Sequence, residues 1–190
     1  MKRGKILIIS GPSGAGKTTV VREFLSRVKM SFHCSVSATT RSPRPGEENG
    51  VNYHFITPEQ FAAKQAENGF LESVEVFGTG VWYGTPVEEV EPYLSKGEWT
   101  LLEIDVRGCE LIKQRYGKEV VSVFISPGSM KALEERLRGR KTESEEDIAI
   151  RLKRAEAEMA TADKYDYIVV NDVVADAADA ICYIVEKENL

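Results

Sequence analysis

The segment Gly11-Pro12-Ser13-Gly14-Ala15-Gly16-Lys17-Thr18 satisfies the pattern G-x-x-x-x-G-K-[ST] in full. Glycines let a backbone wrap phosphate oxygens. Successive N–H groups and the N-terminus of the following helix then face negative charge. Lys17 brings a positive charge to the β- and γ-phosphates of a nucleotide, and the Thr18 hydroxyl suits a Mg²⁺ ligand. With Thr19, which follows, these residues are expected to hold a nucleoside triphosphate. A bare glycine turn is the simpler alternative, but it leaves Lys17-Thr18 unexplained.

Such a loop needs an acid to organise Mg²⁺ and its waters. Trp99–Asp105 (WTLLEID) supplies Glu103 and Asp105 at the end of an apolar run. Two apart on a strand, both side chains point to one face. Either acid can serve either substrate. Asp105 is assigned to the Mg²⁺ shell and Glu103 to the second substrate, the alternative being a strand end already in water.

Two arginine clusters add phosphate chemistry. Arg41 and Arg44 stand three apart on the proline-stiffened loop 41–50, where a pair can grip one phosphate with little ordering cost. Tyr53 adds a hydroxyl. An exposed loop with incidental charge is the alternative there. The second cluster, Arg136-Leu137-Arg138-Gly139-Arg140-Lys141, joins two helices. On the helix after it, Arg151 lies roughly 70° from the apolar stripe Ile148/Leu152/Ala155/Met159, and Arg154 roughly 130°. Arg151 can therefore flank a site, whereas Arg154, Arg138 and Lys141 read as a solvated face.

The elements that must position these groups follow from hydrophobic pattern. Lys5–Ser10, Trp99–Asp105, Val120–Ser126 and Tyr167–Asn171 read as strands, mostly buried on both faces. Helices are expected at Lys17–Met30, Thr57–Asn68, Pro86–Lys96, Val106–Tyr116, Ser129–Arg138, Thr142–Ala160 and Ala175–Glu188. Thr57-Pro58-Glu59-Gln60 carries a capping-box start. Apolar strands alternating with helices imply an α/β fold around a parallel sheet. From about Cys34 to Val90 the turns crowd together. Short strands at Ser35–Thr39, Val51–Ile56 and Phe70–Phe77 suggest a small mixed insert.

The 190 residues, 42% hydrophobic and 29% charged, exclude disorder and a disulfide scaffold. The net charge of −5 argues against a protein that coats nucleic acid, although residues 136–154 are locally basic. Cys34, Cys109 and Cys182 are widely spaced and read as reduced thiols. No stretch approaches the ~20 apolar residues of a membrane span. The short apolar run after Met1-Lys2-Arg3-Gly4-Lys5 is no signal peptide, so a cytoplasmic protein is expected. Monomer and homo-oligomer are both compatible with the sequence.

The run Ser37-x-Thr39-Thr40-Arg41-x-Pro43-Arg44-x-Gly46-Glu47-x-x-Gly50-x-x-Tyr53-x-Phe55 resembles the signature of guanylate kinases. The resemblance extends from the glycine-rich loop to Asn171-Asp172, and includes Phe70-Leu71-Glu72 and Tyr83-Gly84-Thr85. It implies a P-loop NTPase three-layer fold with a GMP-binding insert at 34–90 and a helical lid at 131–159. The core would comprise 1–33, 91–130 and 160–190 of one domain. It implies ATP and GMP or dGMP as substrates, Mg²⁺ as cofactor, and a place in purine nucleotide metabolism. Arg41, Arg44, Tyr53 and Tyr83 would hold the GMP phosphate. Ser37, Glu72 and Thr85 would read guanine, whose adjacent N1–H and N2–H₂ donors one carboxylate accepts together. Arg136, Arg140 and Arg151 match the ATP-side arginines, and Asn171 would lie near the adenine.

The sequence departs from the family pattern in a few places. The run Glu72–Tyr83 is two residues longer than usual, with the extra length in Gly78–Trp82. Arg107 replaces a commoner Gln, Lys141 a commoner Gly, and Val173 a second acid. Three rivals are weaker. A GTPase switch would use Asp105-x-x-Gly108, but N-K-x-D is missing. A non-catalytic guanylate-kinase-like binding module would not need Lys17-Thr18, Arg140 and Arg151. A kinase for another phosphorylated small molecule would not need Glu72.

Overall fold

The computed structural model describes residues 3–76, 78–139 and 144–190. Five strands form one sheet: β1 (Ile6–Ser10), β2 (Phe32–Cys34), β7 (Trp99–Glu103), β8 (Val120–Ser126) and β9 (Tyr167–Val170), in the order β2-β7-β1-β8-β9. The pairs β2–β7 and β8–β9 are parallel. β1 and β8 are buried along their whole length, as continuous apolar runs require in a sheet covered on both faces. Four further strands, β3 (Ala38–Thr39), β4 (His54–Phe55), β5 (Phe70–Glu75) and β6 (Trp82–Pro86), form a mixed sheet in the order β4-β3-β6-β5.

The chain divides into two compact units. One comprises Met1–Leu7, Phe32–Leu102 and Arg107–Val120, and the other Ile8–Ser31, Glu103–Val106 and Val121–Leu190. In the first, the mixed sheet packs on α2 (Pro58–Ala66). Phe61 of that helix stacks on Phe70 with ring centroids 4.4 Å apart, and Ala38, Ile56 and Trp82 close the cluster. Burying a phenylalanine is worth about 1.5–3 kcal/mol, so this small core is what holds the short strands. The capping box forms as expected. Gln60 N–H donates to Thr57 Oγ1 (3.2 Å), and Thr57 N–H to Gln60 Oε1 (2.9 Å).

In the second unit, α1 (Lys17–Arg27) packs on α7 (Val174–Asn189); Val20, Val21 and Phe24 are buried on α1, and Ala177, Ala178 and Ile181 on α7. Arg27 extends this contact to Asp179 at 2.7 Å. α5 (Met130–Gly139) and α6 (Glu145–Met159) pack through Leu133, Leu137 and Ala155. Ser144 caps α6 by accepting Asp147 N–H. The expected start of that helix at Thr142 lies outside the described residues.

Several elements differ from expectation. α1 stops at Arg27, because Val28 is already extended, and the next three-residue strand, β2, is not anticipated by any apolar run. Its pairing with β7 (Phe32 beside Trp99, Cys34 beside Leu101) creates it. Ser35–Thr39 and Val51–Ile56 shrink to two-residue strands. β6 is not among the expected strands, and its last residue, Pro86, was expected to open a helix; β6 exists because β5 and β3 flank it. The helix expected at Pro86–Lys96 splits into a 3₁₀ turn, Val87–Glu89, and the short α3 (Glu91–Ser95), with Pro92 in its first turn. α4 (Val106–Tyr116) matches its expected span.

Candidate active site

The loop 11–16 joins β1 to α1. Gly16 sits at the helix N-cap with φ 88°, a left-handed conformation that disfavours side chains. A Cβ there would also lie 2.5 Å from Asn171 Nδ2. Asn171 is buried, and its amide donates to Ala15 O at 2.7 Å. The residue expected near adenine therefore has its side-chain donor on the loop backbone. Arg136 adds a second tie, donating to Asn171 O (2.5 Å) and Ala15 O (3.5 Å). Together they hold the loop's shape from β9 and α5.

Lys17 Nζ donates to two carbonyls of its own loop, Gly11 O (2.7 Å) and Pro12 O (3.1 Å). Desolvation lowers its pKa, against the opposing pull of Glu158, Glu103 and Asp105. Thr18 Oγ1 donates to Glu103 Oε2 at 3.0 Å. β7 ends at Glu103, so Asp105 lies beyond the strand, and the expectation that the two acids share one strand face is corrected. Glu103, expected from sequence on the second substrate, thus accepts a bond from Thr18 of the glycine-rich loop. The loop strips enough water from Glu103 to push its carboxyl above the ordinary range, although the side chain keeps solvent access.

α6 contributes two side chains seven residues apart, on one helix face. Arg151 Nη1 donates to Ser13 Oγ at 3.2 Å. Glu158 accepts Ser13 N–H; desolvation raises its pKa while Lys17 opposes the rise. Sequence reasoning missed Glu158. Its signal was the i, i+7 spacing from Arg151. Arg140, expected to join these arginines, lies outside the described residues. Arg154 is exposed, as its angle on the helix predicts.

The second cluster lies in the other unit. Glu72 on β5 is 7% exposed and pairs with Thr85 on β6 in the strand register. Thr85 Oγ1 donates to Glu72 Oε1 at 2.7 Å. Gly84 lets β6 approach β5, since a Cβ would lie 3.0 Å from both Glu72 O and the Phe70 ring. Arg41 forks onto Glu47 with two 2.7 Å bonds and donates to Tyr83 OH (2.9 Å). Tyr53 and Tyr83 meet edge-on at 5.6 Å. Arg44 is exposed and its charge acts on Glu47, and Ser37 is half-buried.

The family model for guanylate kinase matches residues 3–188 of this chain. A guanylate kinase of Rhodopirellula baltica is 45% identical over 95% of this chain and 87% of its own length. One of Clostridium perfringens is 46% identical, over 94% and 81%. The crystal structure of guanylate kinase from Anaplasma phagocytophilum covers 100% of this chain and 88% of its own, with 35% identity and a TM-score of 0.80. This chain belongs to the guanylate kinase family.

Its fold is accordingly the α/β P-loop NTPase fold expected from sequence. The segment Gly78–Trp82, where extra length was expected, leads into β6 (Trp82–Pro86). There, Gly80 N–H donates to Glu75 Oε1 (2.9 Å) and Val76 N–H to Val81 O (2.8 Å). Trp82 and Tyr83 are in register with Glu75 and Val74, and Thr85 with Glu72, so Tyr83 and Thr85 lie on the strand. Arg107 donates to Glu75 O at 2.7 Å, at the end of β5. Among the described residues, no group of three or more His, Cys, Asp or Glu forms a metal site. No helix among them is long and apolar enough to cross a membrane.

Proposed function

We propose that this chain transfers the γ-phosphoryl group of ATP to GMP, and to dGMP, giving ADP and GDP or dGDP. It would serve purine nucleotide metabolism in the cytoplasm. The observation that carries the reading is the buried Glu72, with the Thr85 hydroxyl 2.7 Å away, in a chain of this family. Guanine offers two adjacent donors to a carboxylate. Adenine offers none in that place, and would leave a buried charge unpaired. Ser37 and Thr85 supply hydroxyls for the acceptor edge of the base. Arg41, Arg44, Tyr53 and Tyr83 take the phosphate.

On the ATP side, residues 11–19 cradle the phosphates. Lys17 leaves Gly11 O and Pro12 O and turns to the β- and γ-oxygens. Arg151, now on Ser13, and Arg136 and Arg140 neutralise charge on the transferring group. Asn171 acts by holding the loop. Mg²⁺ fits the donors present: the Thr18 hydroxyl beside Glu103, whose carboxyl is pushed up in a way a cation would relieve, and Asp105 nearby along the chain. When bound with ATP, it neutralises phosphate charge. A GMP phosphate oxygen attacks the γ-phosphorus in line; the new P–O bond forms as the bond to the β-phosphate oxygen breaks and ADP leaves. No covalent intermediate on the protein is required.

A coupled assay of ADP release tests this. GMP and dGMP should act as acceptors, and AMP poorly. Equal rates with AMP would overturn the role given to Glu72.

A further inference from the structure

Arg41 has five N–H donors, and four are already directed. Nε donates to Tyr83 OH (2.9 Å). Nη1 donates to Ser42 O (2.9 Å) and Glu47 Oε2 (2.7 Å). Nη2 donates to Glu47 Oε1 (2.7 Å). Its guanidinium also lies 5.2 Å from the Tyr53 ring centre and 5.5 Å from that of Phe55. Both partners are well covered, with 14% of the Arg41 side chain and 18% of Glu47 exposed. A phosphate fork needs two parallel N–H groups. In this arrangement Arg41 offers one, and its charge is offset by Glu47.

Glu47 is itself pinned by a third bond. Its Oε2 accepts the backbone N–H of Arg44 at 2.7 Å, and its own N–H closes the turn onto Arg44 O at 3.0 Å. One carboxylate thus sets the side chain of one expected phosphate ligand and the backbone of the other. The Arg44 guanidinium is left exposed beside it.

We infer that Glu47 is a positioning residue for the acceptor phosphate: it locks Arg41 and the 44–47 turn so that Arg44, one N–H of Arg41 and the tyrosine hydroxyls converge on that group. The inference deepens the reading of this loop as the GMP phosphate site and rests on it. The Arg41 guanidinium and the Arg44 N–H hold the Glu47 carboxyl down to about 2, so the lock is charged at any assay pH. The two contrary readings are a carboxylate that merely competes with phosphate for Arg41, and a brace that matters only for folding.

The test compares wild type, Glu47→Gln and Glu47→Asp by titration calorimetry with GMP and with guanosine, and by kinetics. Guanosine carries the base without the phosphate, so it reports only on the Glu72 side. Loss of the charge-assisted fork should weaken GMP binding about tenfold or more in Glu47→Gln, leave guanosine binding and the KM for ATP unchanged, and spare kcat at saturating GMP. Glu47→Asp, which keeps the charge, should recover part of the affinity. GMP binding that is unchanged or tighter in Glu47→Gln would overturn the inference in favour of competition. Parallel loss of guanosine binding would overturn it in favour of a folding role. Failure of wild type to bind GMP would instead remove the functional reading beneath it.

Discussion

Replacing Glu72 with Gln perturbs guanine recognition with little change of shape. Glu72 is 7% exposed, and its Oε1 already receives the Thr85 hydroxyl. The carboxylate meets guanine N1–H and N2–H₂ with acceptors only. An amide keeps one acceptor and turns an N–H₂ group toward a donor. A hydrogen bond to a charged group contributes about 1.5–3 kcal/mol, and one such bond is lost outright. At 1.4 kcal/mol per decade, kcat/KM for GMP should fall about 10- to 150-fold. Ala would remove both bonds but also strand the buried Thr85 hydroxyl, at a stability cost of about 1–3 kcal/mol, which is why Gln is the cleaner probe. IMP supplies an internal control, because hypoxanthine has N1–H and no 2-amino group. Wild type should prefer GMP to IMP clearly, and Glu72→Gln should narrow that gap. The assay is coupled ADP release over a range of GMP and IMP concentrations, with thermal melting to show that the fold survives. A fall of less than about threefold for GMP, or an unchanged GMP-to-IMP ratio, would refute guanine recognition by Glu72.

Lys17→Met should lower kcat about 100-fold or more while GMP affinity in calorimetry stays near wild type, since the lysine belongs to the other cluster. Gly16→Ala places a Cβ 2.5 Å from Asn171 Nδ2 at φ 88°, and the left-handed backbone alone costs roughly 1–2 kcal/mol; the melting temperature should drop and the KM for ATP rise. Desolvation chiefly raises the folded pKa of Glu103 above its ordinary value of 4.5. The folded state therefore retains a proton that the unfolded chain releases, so this carboxyl's contribution to stability falls as pH rises from about 4.5 through the raised value. Glu103→Gln should flatten that decline in melts without nucleotide, yet lower activity with Mg²⁺ and ATP. An unchanged melting profile would remove the electrostatic argument for Glu103.

Much of the site could be read from local order. The strand, tight turn and helix that the spacing of Gly11–Thr18 requires were legible, and β1 and α1 flank the loop. Glu72 and Thr85 were identified as residue types that suit guanine, and the register of β5 and β6 sets them side by side. The capping box of α2 was legible for the same reason: all its partners lie within four residues. The short strands were not. β2 and β6 have little strand pattern of their own and exist through neighbours, the distant Trp99–Leu101 for one, the adjacent Phe70–Glu75 and the distant Ala38–Thr39 for the other.

The sequence by itself determined the chemical inventory, because residue type and close spacing are local facts. It offered a loop of phosphate-binding pattern, a carboxylate of the type that suits guanine and arginines of the type that suit phosphate. Tertiary structure alone decided who holds whom. It put Thr18 on Glu103 and the Asn171 amide on Ala15 O, brought Glu158 to the N–H of Ser13, and spent most of Arg41 on Glu47 and Tyr83. A side chain's hydrogen-bonding capacity is set by its type, but its partners are set by which distant backbone or carboxylate folding brings within about 3 Å of it.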